Sequence, residues 1–503
     1  MCRECRESVL WIRAAGDHFR GTVRLVGMQS PATIMRSKRI PSVFARLSVM
    51  LLLFVAGRVV CGDELCRIEV VDEEGRRVPL VELRTVHQVR LVSDNAGMIA
   101  FDLPELMGRE AWFDVIGHGY EVRPDEFGYR GVRLTPRPDA VLRVVVRRRL
   151  AAIRIGRLTG AGRLAESRRL GLTADDPETG IVGCDSVQNA VYRGKLYWFW
   201  GDTGLPHYPL GIFHTTGAIT DLLPGKVDEA PISLRYEVFR DAAGRPRGVA
   251  PMPGEGPTWI TGVAALRDRE GRERLGCAYA KIRPPLEAYR WGLAVWDDDK
   301  RQFEPARILW EQTADGSPQP PPLPRGHAVL WKDPADREWV LFGDPFPTLR
   351  CPATFEAWLD PNQWETLEKP DFLWDADHQS KVVPHSGAVA WHPRRQRWVA
   401  VFMEQFGKPS AFGELWYAEA LQPTGPWGRA VKIVTHDNYT FYNPAIHPEF
   451  TTEGSSSLFF EATYTQQFAD HAPATPRHDY NQILYRLDLD DPRLAPARDS
   501  VPR

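Results

Sequence analysis

The sequence is poor in cysteine, nearly free of net charge, and has no long apolar run. Seven cysteines in 503 residues exclude a disulfide-dense scaffold, and their spacing fits no zinc pattern. The net charge is −2, from 63 basic and 65 acidic residues. That balance lacks the basic excess of a nucleic-acid-binding protein. The longest uncharged apolar stretch, Leu47 to Gly57, is too short to span a bilayer as a helix. No Gly-x-Ser-x-Gly elbow, phosphate loop or dinucleotide fingerprint stands in a strand–helix context, so those chemistries are set aside.

What is abundant is turn-forming and aromatic: 42 Pro, 41 Gly and 17 Trp. Frequent turns with aromatic strand residues predict a β-rich fold with long loops.

Residues 1–62 read as a leader. Arg36, Lys38, Arg39 and Arg46 precede the Leu47–Gly57 run, and Val60, Cys61 and Gly62 provide small residues before a cut at Asp63. Residues 35–62 thus predict a signal peptide and an exported protein: periplasmic, cell-surface or extracellular, with no stable membrane span after cleavage. Cys66, Cys184, Cys277 and Cys351 remain downstream, and isolated buried thiols are the expectation for them.

Residues 63–149 alternate like strands with Asp/Gly turns about every ten residues. Arg67–Val71 is followed by Asp72-Glu73-Glu74-Gly75, and Val78–Thr85 is a second strand candidate. Ser93-Asp94-Asn95-Ala96-Gly97 precedes Met98–Phe101, Gly119-Tyr120 comes late, and Val141–Val146 closes the segment. This order resembles the transthyretin-like domain of the carboxypeptidase regulatory type. The resemblance implies a small β-sandwich acting as a structural module or spacer, with no catalysis.

Residues 150–180 are a basic, Gly-rich connector containing Arg154, Arg157, Arg163, Arg168 and Arg169. A strand leading into the next domain is the preferred reading, with a polyanion site as the other. Over residues 181–490 one pattern recurs five times: a short strand after a polar residue, a turn, then a strongly apolar strand ending on a polar residue. Copies start near 186, 261, 326, 386 and 443. A third strand follows most copies, for example Gly211–His214 and Glu414–Ala418. Hairpins repeating at this period predict a five-bladed β-propeller, leaving 491–503 as a tail. The fold class is therefore all-β, a small β-sandwich followed by the propeller.

In such a fold the starts of first strands and the ends of second strands share one rim. The starts offer Asp185, Asn189, Thr261, Arg325, His327, His385, Ser386, Tyr442 and Asn443; the ends offer Asp202, Lys281, Asp344, Glu404 and Glu461. Carboxylates gathered at one mouth raise each other's pKa and can act as acids near neutral pH. This arrangement resembles the five-bladed arabinanase and fructosidase group of glycosidases. The resemblance implies Asp185 as base or nucleophile, Asp344 as orienting carboxylate and Glu404 as general acid. The fructosidase Asn-Asp-Pro-Asn signature is absent, and His327 and His385 stand where that group carries acids.

Asp202, Asn189, Arg325, His327, His385, Asn443, Trp259 and Glu461 are the expected substrate contacts. Trp259, Trp291, Tyr208 and Tyr439 are candidate stacking surfaces for sugars. No cofactor is required, although oxygen ligands in the channel could hold Ca2+. The expected partner is a carbohydrate, and the expected activity is glycoside hydrolysis of a polysaccharide or glycan. The alternative is a non-catalytic glycan-binding or cell-surface interaction protein with the same fold.

Overall fold

The computed structural model describes residues 65–138, 140–173, 179–222, 227, 230–232, 234–313, 319–469 and 472–502, with backbone alone for 208–212. The expected leader, residues 1–62, and the signal peptide expected within it lie outside the described residues. Strands dominate the chain.

Two four-stranded sheets come first. One has the order Met98–Phe101, Cys66–Asp72, Val141–Arg148, Tyr120–Glu121; the other has Arg90–Val92, Glu82–Thr85, Ala111–Ile116, Gly131–Leu134. They share a core that includes Ile68, Val70, Leu83, Phe113 and Val144. The Asp-x-x-Gly sequence makes its turn because the Asp72 carboxylate accepts the N–H groups of Glu74 and Arg76, a local bond that competes with strand pairing. The second strand begins only at Glu82, since Leu80 has φ 58° and breaks the extended run.

Five four-stranded antiparallel sheets follow. Their innermost strands are Val187–Tyr192, Thr258–Arg267, His327–Lys332, Pro384–His392 and Thr440–Ile446. Each touches the next, and the fifth returns to the first. Second strands such as Lys195–Trp200, Glu338–Gly343 and Arg397–Glu404 lie between neighbouring sheets. Covered on both faces, they read as continuous apolar runs rather than alternations. Trp198, Trp200, Trp339, Phe342, Trp398 and Phe402 are buried there as expected. Each such side chain contributes ~1.5–3 kcal/mol.

Three elements depart from the sequence reading. Tyr208–Ile212 pairs with Thr203–Leu205 and, through it, with Gly183–Cys184 in a separate small sheet. The third strand of the first large sheet is instead Thr216–Thr220. The turn at Pro206-His207 folds the chain back before it can reach Lys195–Trp200. Second, the basic connector is built into the core. Its strand Ile153–Arg157 completes the fifth sheet by pairing with Asn481–Asp488, and Arg154, Arg157 and Arg163 are buried, which rules out an exposed polyanion surface for those three. Third, the tail packs, with Ser500 Oγ accepting the Arg429 N–H at 2.7 Å.

Residues Glu64–Arg503 form one compact unit. Asn95 ties the first two sheets to the connector strand by exchanging two 2.8 Å bonds with the Arg157 backbone. The four cysteines Cys66, Cys184, Cys277 and Cys351 are buried free thiols. Among the described residues no helix is long and apolar enough to cross a membrane.

Candidate active site

A belt of hydrogen bonds links the five large sheets to one another. The Asn443 amide donates to Ser186 Oγ at 2.6 Å and accepts from Ser386 Oγ at 2.9 Å. The next residue, Gly387, donates its N–H to Asp344 Oδ1 at 2.8 Å. Gly326 then donates to Thr261 Oγ1 at 2.8 Å, and Gln188 Oε1 accepts from Val263 at 3.4 Å. Ser186 and Asn443 hold φ values of 44° and 53°, conformations uncommon for side-chain-bearing residues. They recur where a structure over-determines the backbone.

Asp185 and Asp202 meet on this rim. The Asp185 N–H donates to the Asp202 carbonyl at 3.1 Å, and the Gly201 N–H to the Asp185 carbonyl at 2.8 Å. Position 201 is glycine because a Cβ there would lie 2.2 Å from Asp185 Oδ1. Tyr442 donates its phenol to Asp185 Oδ2 at 2.9 Å. Burial pushes Asp185 up to about 6, against phenol bonds from Tyr442 and Tyr480 that favour its anion. Burial, and then the Asp185 charge, push Asp202 up to about 7, while the Trp259 indole pulls it down. Asp202 Oδ1 is buried without a hydrogen-bond partner, a costly state for an anion and a mild one for a protonated carboxyl. Both carboxyls are therefore pushed toward neutrality, and the Asp185 charge adds to the rise of Asp202.

Asp344 stands on the third sheet. Its carboxyl is exposed to solvent; the surrounding chain pushes it upward, against the Gly387 N–H, Lys369 and Arg325, and contact with water limits that push. Glu404 accepts the Trp416 indole N–H at 2.9 Å. Arg325 lies 4.4 Å over the Trp291 ring. His385 is exposed beside Phe412, 5.3 Å between rings.

A second group sits within the ring of inner strands. His447 bridges Glu449 and Glu461, each contact 2.7 Å, and the Asn189 amide lies 2.8 Å from its Nδ1. Burial pushes His447 down, but the carboxylates outweigh it and hold the imidazole up at about 9. Burial and then the His447 charge push His327 down to about 4. Glu461 is thus a buried ion-pair partner. Asn189, His327 and Glu449 line a cavity of about 450 Å³ with Val191, Leu330 and Trp391.

His447 is protonated in the fold at pH values where it would be neutral unfolded. Its stabilisation is complete below about pH 6.5 and is lost as pH rises through 9, about 3 kcal/mol in all. The melting temperature should fall between pH 7 and 9.5, and His447→Gln should flatten that fall. A parallel decline in both proteins in a thermal series would contradict it.

The belt brings Asp185, Asp202, Trp259 and Asn443 to one side of the mouth, with Asp344 and Arg325 on the third sheet. Asn189, His327 and Glu461 belong to the His447 group instead. Tyr439 is no sugar platform: it is buried and stacked on Tyr464, with ring centroids 4.6 Å apart. The Tyr208 side chain lies outside the described residues. Tyr480, His447 and Glu449 escaped the sequence reading because none begins or ends a repeat strand. Among the described residues no cluster of His, Cys, Asp or Glu has metal-holding geometry. Glu449 and Glu461 both contact the His447 imidazole.

No family model matches the sequence, and no curated protein matches it. Among solved structures it is similar to an exo-1,5-α-L-arabinanase from a bovine ruminal metagenomic library, with TM-score 0.36 and 11% identity over 62% of this chain and 96% of that one. It is also similar to an α-L-arabinofuranosidase from Clostridium thermocellum, with TM-score 0.34 and 14% identity over 59% and 88% of the two chains. A third similarity is to an N-acetylgalactosamine deacetylase from F. plautii in complex with blood group B trisaccharide, with TM-score 0.39 and 10% identity over 70% and 98%.

Proposed function

We propose that this chain is an exported glycoside hydrolase built as a five-bladed β-propeller, with a transthyretin-like module ahead of it as a spacer. The five sheets with cyclically touching inner strands support the blade reading. The carrying observation is the Asp185–Asp202 pair, two carboxyls pushed up to about 6 and 7 at one mouth. Glycoside hydrolysis needs one carboxyl protonated to release the leaving oxygen and one ionised to act as base or nucleophile.

The two environments divide those roles. Asp185 has phenol donors that stabilise an anion, which suits the base or nucleophile. Asp202 has a buried oxygen without a partner and the higher pKa, which suits the acid. Tyr442 and Tyr480 remain protonated, because burial first and Asp185 second push both phenols up. They therefore keep Asp185 ionised and oriented. Asp344 and Glu404 become substrate-orienting carboxyls, and Trp259 positions Asp202 from the second sheet.

Sugar release from a polysaccharide panel, run beside Asp185→Asn, tests this reading. Release by the unmodified chain should fall ~10²–10⁴-fold in the variant. Undiminished release would move the site elsewhere. Binding of glycans with no turnover would favour the non-catalytic alternative.

A further inference from the structure

Near the start of every inner strand stands one residue at positive φ: Ser186 at 44°, Gly262 at 60°, Gly326 at 75°, Gly387 at 157° and Asn443 at 53°. Three of the five are glycine, which adopts such angles without a Cβ penalty. At Ser186 and Asn443 a side chain is kept against that preference. These two meet: Asn443 Nδ2 donates to Ser186 Oγ at 2.6 Å. Ser186 directly follows Asp185. Retained strain of this kind calls for a functional reason.

A bulge makes the contact. Tyr442 pairs with Thr463 and Ala445 with Glu461, so Asn443 and Pro444 stand opposite Ala462 alone. Pro444 has no N–H to lose from the ladder there. In a regular strand Tyr442 and Asn443 would point to opposite faces. The extra residue and the left-handed backbone at Asn443 re-aim them. The Tyr442 phenol reaches Asp185 Oδ2 at 2.9 Å, while the Asn443 amide reaches Ser186. Thr463 Oγ1 adds a third hold by accepting the Ser186 N–H at 2.9 Å. The Asn443 carbonyl oxygen accepts from Ser386 Oγ, so both ends of the amide are engaged within the belt.

We propose that Asn443 and Ser186 are positioning residues for Asp185: their bond clamps the fifth sheet against the Asp185–Ser186 peptide and keeps the Tyr442 phenol on the carboxyl. This deepens the glycoside-hydrolase reading and rests on it. It also replaces the substrate contact expected of Asn443 with an indirect role. Asp185 is faced by the Tyr442 and Tyr480 phenols, by Asp202 and by the buried Cys184 thiol. Of these, Tyr442 is carried on the strand that Asn443 bends. Loosening it removes a bond that favours the Asp185 anion, which moves that carboxyl further up.

The test compares the full chain with Asn443→Gly, Ser186→Gly and the double variant. Glycine suits the backbone at both places, so the fold is kept while the clamp is removed. On a hydrolysed polysaccharide, kcat should fall ~10²-fold with KM little changed, and the acidic limb of the pH–rate profile should move to higher pH. The double variant should lose no more than the worse single one, because the two side chains act as a unit. A second readout is independent of turnover: the carboxyl infrared band followed through a pH titration, with Asp185→Asn as the blank. Its midpoint should rise in each glycine variant.

An unshifted midpoint overturns the clamp, whether or not sugar is released. Additive losses in the double variant, or a rise in KM alone, overturn it while leaving the hydrolase reading intact. A raised midpoint in a chain that hydrolyses no polysaccharide supports the clamp and overturns the hydrolase reading.

Discussion

Asp202→Asn should lose nearly all hydrolytic activity and yet be more stable than the parent protein at pH 8. The two effects have one cause. Burial and the neighbouring Asp185 charge hold the Asp202 carboxyl at about 7 in the fold, against about 3.9 in an unfolded chain. The folded state therefore binds the proton more tightly, and stability falls as pH climbs from about 4 through 7. Above that window the full penalty is present, at most about 4 kcal/mol. Part of it belongs to Asp185, whose charge adds to the rise.

Asparagine keeps the shape and removes the titration. The stability gain should be largest at pH 8, small near pH 4, and vanish below about pH 3, where aspartic acid is protonated in both states. Activity should drop by ~10²–10⁴, the usual contribution of general acid–base catalysis. In the parent the pH–rate profile should be a bell with limbs near 6 and 7, the two values of the pair. Melting curves from pH 4 to 8 together with initial rates decide it. A variant that is destabilised at pH 8, or as active as the parent, would refute the assignment of Asp202. Sites poised in this way trade stability for function.

The second large effect concerns Arg154, which makes none of the contacts of the candidate site. Its guanidinium is buried, with 1% exposure. It donates to the carbonyls of Leu80 and His118 at 2.8 Å, to Pro79 at 3.3 Å and also to Gly117. It stacks 5.0 Å over Tyr120. The side chain projects from the connector strand of the fifth sheet into the first two sheets, so one cation welds the two parts. Arg154→Ala would leave several buried carbonyls without donors and open a cavity. The expected cost is about 3–5 kcal/mol. Denaturant unfolding should show the loss, while activity per folded molecule at 25 °C stays near the parent value. A loss below about 1 kcal/mol would mean that water replaces the guanidinium at those carbonyls.

Much of this architecture was legible in the chain. Ser186–Val191 with Lys195–Trp200, and Ser386–Trp391 with Trp398–Met403, announce hairpins because an inner strand and the apolar strand behind it face different surroundings. Asp185 and Asp202 were visible as polar residues bounding apolar runs. The structure adds the reason for Gly201 beside Asp202: a Cβ there would meet the Asp185 carboxyl.

Partnership was not legible. Local alternation reports which way a side chain faces, and it carries no information about which distant strand supplies the opposite hydrogen bonds. So Ile153–Arg157 read as a connector, although it completes the fifth sheet beside Asn481–Asp488. Nothing in the sequence pattern pointed to Tyr480, although its phenol helps hold Asp185. His447 read as nothing in particular, although it is a buried cation between Glu449 and Glu461. The sequence by itself determined the β class, the five repeated hairpins and the acidic character of their boundaries, because these follow from periodicity and from the cost of burying polar groups. The tertiary structure alone decided which carboxyls meet, which are neutralised and which hold a proton, because desolvation and pairing depend on neighbours brought together across hundreds of residues.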